Sequence, residues 1–63
     1  MNMKFYKFEV TQSFRDLVTV YSLDGISDWD IGQECMEHDI WYRHLEAWFY
    51  DEELEELEIF VED

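Results

Sequence analysis

From Met3 to Thr11 the chain alternates, with Tyr6, Phe8 and Val10 on one side and Phe5, Lys7 and Glu9 on the other. A period of two with one apolar side predicts a strand with one largely buried face. Residues 11–16 are polar enough to turn the chain. Leu17 to Leu23 (LVTVYSL) is rich in β-branched and aromatic residues and predicts a second strand, hence an antiparallel hairpin. Asp24-Gly25 ends it, with Gly25 available for a positive φ.

The period then changes. Ser27 can cap a helix, and Asp30 three residues on completes a near capping box. Ile26 and Ile31 are placed as a hydrophobic staple, and Asp28 and Asp30 complement the helix dipole. At about 100° per residue, Trp29, Ile31, Gly32, Cys35 and Met36 share one face, with Asp30, Glu34 and Glu37 opposite. The helix is expected over residues 27–39.

Residues 40–50 fit two periods. Alternation separates Leu45, Ala47 and Phe49 from Glu46, Trp48 and Tyr50, whereas helical spacing aligns Trp41, Leu45, Trp48 and Phe49. Aromatic density favours the strand. Leu57, Ile59 and Val61 alternate with Glu56, Glu58, Phe60 and Glu62, so the chain ends in a strand after an acidic turn at 51–55. The expected fold is α+β, a small antiparallel sheet with one helix packed on a face, in the order ββαββ, or ββααβ if 40–50 is helical.

Composition makes this one small folding domain over residues 1–63. Such a length buries only about 60% of the unfolded surface, so stability is expected to be marginal. A disordered acidic tail is excluded, because the chain is 48% hydrophobic and 19% aromatic with no proline. The lone Cys35 cannot form an internal disulfide and suits a reducing compartment. No stretch approaches the roughly 20 apolar residues of a membrane span, and the N-terminal residues carry no signal-peptide pattern. A cytoplasmic location is expected.

Charge changes the picture most. Residues 1–23 hold three cations and two acids, whereas residues 24–63 hold fifteen acids against Arg43 alone. Carboxylates two apart on a strand stand about 7 Å apart, and those four apart on a helix, such as Asp30 and Glu34, about 6 Å. Both spacings build an anionic ladder on the scale of a nucleic-acid strand, whose charge recurs every ~3.4 Å of axis. Glu46, Glu56, Glu58 and Glu62 are expected on the sheet face away from Leu57 and Ile59, mixed with Trp48, Tyr50 and Phe60 as interface anchors. If 40–50 is helical, Trp48 is core instead. The expected partner-binding set is Asp30, Glu34, Glu37, Glu46, Trp48, Glu52, Glu53, Glu55, Glu56 and Glu58. The plainer alternative is a solvated coat for solubility, which must tolerate self-repulsion in a marginal domain.

Other chemistry is thin. Cys35 and His38 lie one helical turn apart, but without a third group at ligand spacing they read with His44 as packing residues, not metal ligands or nucleophiles. Asp24, Asp28 and Asp30 do not match a calcium loop. Acid–base catalysis needs carboxylates in contrasting environments within a cleft, for which so short a chain has little material. With four Lys and Arg in all, the domain is not expected to bind nucleic acid itself. Neither an enzyme nor a cofactor is expected, and a monomer is favoured over a dimer.

In size and in the confinement of its acids to one segment, the chain resembles the small phage-encoded inhibitors that mimic DNA. Anti-CRISPR proteins stand first among them, with uracil-DNA glycosylase inhibitors and anti-restriction proteins beside them. The resemblance implies stoichiometric blockade of the nucleic-acid-binding site of a bacterial defence complex, the partner being a basic nucleic-acid-binding protein or surveillance complex. An antitoxin-like regulatory subunit masking a basic partner is the alternative.

Overall fold

A computed structural model describes residues 2–63. The elements run β1 (Met3–Glu9), α1 (Gln12–Tyr21), a 3₁₀ turn (Leu23–Gly25), α2 (Asp28–Glu37), β2 (His44–Asp51) and β3 (Glu56–Glu62). The class is α+β with an antiparallel sheet, but among the described residues the order is βααββ, with three strands and two helices. The chain divides into a sheet unit, formed by β1 with residues 41–63, and a helical unit, Val10–Ile40. Among the described residues no helix is long and apolar enough to cross a membrane.

In the sheet unit β3 lies in the middle, antiparallel to β1 on one side and β2 on the other. Its Leu57, Ile59 and Val61 are fully buried, and register places Tyr6 and Phe8 of β1 and Trp48 and Tyr50 of β2 on the same face. The other face is open. It carries Met3, Phe5, Lys7 and Glu9 of β1, Glu56, Glu58, Phe60 and Glu62 of β3, and Ala47, Phe49 and Asp51 of β2.

No hairpin forms here: residues 12–16 of the expected turn and residues 17–21 of the expected second strand together make α1, and Leu23 opens the 3₁₀ turn. Thr11 caps this helix, its hydroxyl accepting from the Phe14 N–H at 3.3 Å, and Phe14, Leu17, Val18 and Tyr21 recur at helical spacing. Within the β-branched run, Thr19 donates its hydroxyl to the Arg15 carbonyl at 3.0 Å, the bond a helical threonine can make one turn back. Ser22, at φ 60°, stops the helix. Gly25 therefore supplies no positive φ. A Cβ there would lie 2.8 Å from Tyr21 Cβ, so glycine is required by close approach.

Helix α2 begins as its sequence predicts. Ser27 and Asp30 form a reciprocal capping box, and Ile26 and Ile31 are both buried. The buried face is rotated from the expected one, however. Ile31, Glu34 and Cys35 lie inside, whereas Trp29 and Met36 are exposed.

Candidate acidic interface

Register brings carboxylates from all three strands to one end of the open sheet face. Glu56 faces Glu9 across one ladder and Asp51 across the other. Three acids thus cross the sheet at the interstrand spacing of about 4.8 Å. The β2–β3 connection extends this row, because its residues include Glu52, Glu53 and Glu55. Asp51 also holds the turn, its Oδ1 accepting from the N–H groups of Glu53 at 3.0 Å and Leu54 at 3.1 Å. Glu55 closes it at φ 55°, in the left-handed region.

Like charges directly opposite on a sheet repel. Lys7 reduces that cost at one point, its Nζ lying 3.6 Å from Glu56 Oε1. Lys4 is engaged at the other end of β1, 2.9 Å from Asp63, whose hydrogen bond and negative charge raise its pKa. Beyond the row, Glu52 and Glu53 of the turn are exposed to water.

One row in from the acids, Glu58 stands between Lys7 and Phe49, and the next row is Phe5, Phe60 and Ala47. The rings of Phe5 and Phe60 lie 4.9 Å apart, centre to centre, tilted by 48°. Phe49 is 61% exposed, Phe5 49% and Phe60 48%. The open face thus joins an acidic end to an aromatic middle.

The expected site residues divide. Glu52, Glu53, Glu55, Glu56 and Glu58 are gathered at or beside this end. Glu46 sits in a register shift between Leu45 and Ala47, with its carboxylate 3.0 Å from His44 Nε2. That irregularity reverses the alternation of β2. It turns Trp48 and Tyr50 to the face of Ile59 and Leu57, and leaves Ala47 and Phe49 on the open face. Of the three expected aromatic anchors only Phe60 is outward. Phe5 and Phe49 join it, and Glu9 and Asp51 join the acids. The alternation of β1 already separated Phe5 and Glu9 from its buried side, whereas Phe49 and Asp51 emerge from the cross-strand pairing of β2.

Asp30, Glu34 and Glu37 lie in the helical unit, around a cleft of about 150 Å³ that Phe14 and Leu17 also line. Asp30 is engaged by its capping box. Glu34 is no surface acid, being only 4% exposed. Its Oε2 accepts from the Thr11 N–H at 2.6 Å, its Oε1 from the Thr11 hydroxyl at 2.7 Å, and His38 Nε2 lies 3.1 Å from Oε2. Partners on two sides account for the rotated face of α2, because a carboxylate supplied with donors can be buried. Beside it, burial and then the Glu34 charge push the Cys35 thiol up to about 11, so it is protonated at neutral pH.

No family model, curated protein or solved structure matches this chain. Functional inference therefore rests on the acidic end and its aromatic neighbours.

Proposed function

We propose that this protein is a stoichiometric inhibitor that mimics DNA charge and occupies the nucleic-acid-binding site of a bacterial defence complex, in the manner of anti-CRISPR proteins. It acts in the cytoplasm of the bacterial host and catalyses nothing. The observation that carries this reading is the Glu9–Glu56–Asp51 row, continued by Glu52, Glu53 and Glu55. Adjacent carboxylates held on a paired backbone present fixed anions to the Lys and Arg side chains that otherwise hold phosphates. The arrangement opposes folding through self-repulsion. A left-handed glutamate at 55, where glycine would be easier, adds to that cost. Both costs are explained if the charge serves a partner.

Immobilised full-length protein tests the reading against bacterial lysate at low and high salt. A basic nucleic-acid-binding protein should be retained at low salt, released as salt rises and displaced by duplex DNA. A partner that stays bound in excess duplex DNA would make the chain a masking subunit and overturn mimicry. Failure to retain any basic protein at low salt would do the same.

A further inference from the structure

We infer that the aromatic middle of the open sheet face is a docking strip for a basic protein surface whose cations are interleaved with apolar side chains. The inference rests on the reading of the acidic end as a partner-binding surface and specifies what that partner must carry. Phe5 and Phe60 pair across β1 and β3, and Phe49 lies on β2 one row toward the acids. Three rings at roughly half exposure or more present about 300 Å² of apolar surface, the size of patch that on a monomer is often functional. Water gains nothing from this surface, and the exposed Met3 extends it.

Charge selects the occupant. The strip is bordered by Glu58 and the Glu9–Glu56–Asp51 row on one side and by Glu62 on the other. A second copy would bring the same acids against these, with a net charge of −13 on each chain. Nucleic acid and anionic lipid are repelled for the same reason. A basic protein surface is attracted by the rim, and its apolar side chains can cover the rings. Aromatic anchors surrounded by charge concentrate affinity in a few residues, while the charge governs approach.

Two labelled peptides of equal length and charge, one alternating Lys with Leu and the other Lys with Ser, test this by fluorescence anisotropy. The Lys/Leu peptide should bind about tenfold tighter or more, and both should weaken with salt. Phe49→Ala and Phe60→Ala should remove most of the Leu advantage and weaken Lys/Ser binding far less, by no more than the loss of lysine contacts with the rings. Trp29→Ala, which removes an exposed ring from the helical unit, should leave both affinities unchanged. Phe49 lies outside the Phe5–Phe60 ring pair, so its variant reports even if loss of Phe60 weakens the sheet; thermal melts identify that case. Equal affinities for the two peptides, or an advantage untouched by Phe49→Ala, would overturn the strip while salt-dependent binding kept the charge reading standing. Salt-independent binding of both peptides would overturn the charge reading and this inference with it.

Discussion

Glu34 in the helical unit and Glu56 in the sheet unit are the same residue put to opposite uses. Glu34 is buried, and both its oxygens are occupied by donors from Thr11 and His38, so its charge helps to hold α2 to the start of α1. Glu56 stands between two other acids, with one lysine 3.6 Å away. One carboxylate is supplied with hydrogen bonds by its own fold. The other is set against its own kind. Acidity in this chain is therefore two populations, one supplied with donors by the fold and one set acid against acid across the strands.

Removing Glu34 should break the comparison most visibly. Glu34→Ala strands the Thr11 N–H and hydroxyl, and urea unfolding should show a loss of about 2–3 kcal/mol. A loss near zero would mean that the buried carboxylate contributes no more than a surface one. Glu55→Gly should act in the opposite direction. Glycine accepts the left-handed backbone, so the urea midpoint should rise by the equivalent of about 1 kcal/mol even as basic partners bind less well. Smaller still, Glu52→Gln removes one exposed acid of the turn and should raise the thermal midpoint slightly, with the gain shrinking as salt screens the cluster.

An effect confined to high pH is expected at Cys35. Its folded pKa of about 11 lies above the ordinary 9.0, so the folded state prefers the thiol. The stability that this preference contributes is complete below pH 9 and disappears as pH rises toward 11. A Cys35→Ala variant should lose less stability than the parent across that interval, as read by pH-dependent urea melts. Alkylation of native Cys35 at pH 8 should be slow and should accelerate only on unfolding.

Local signals carried much of this fold. The capping box at Ser27 and Asp30 and the alternation of β1 and β3 were all legible, because each is decided within a few residues. The helix α1 was not, since LVTVYSL favours a strand on propensity. The Thr11 cap and the helical spacing of Phe14, Leu17, Val18 and Tyr21 override it. The concentration of acids at 52–58 was legible in composition. The register shift beside Glu46 was not, and it exchanged Trp48 and Tyr50 for Phe49 on the open face. Burial of Glu34 depends on a donor 23 residues away, which no local period reveals.

If the proposed function holds, partner attraction resides at the β2–β3 end of the sheet and not in the total charge. Two triple variants with equal charge loss decide it. One is Glu52→Gln, Glu53→Gln and Glu56→Gln; the other is Asp16→Asn, Asp24→Asn and Asp39→Asn, at exposed positions of the helical unit. Titrated with the Lys/Ser peptide across a salt series, the sheet triple should lose most of the affinity and flatten the salt dependence, whereas the helical triple should remain close to the parent. Equal losses from both would contradict a localised interface and leave only a diffuse anionic coat.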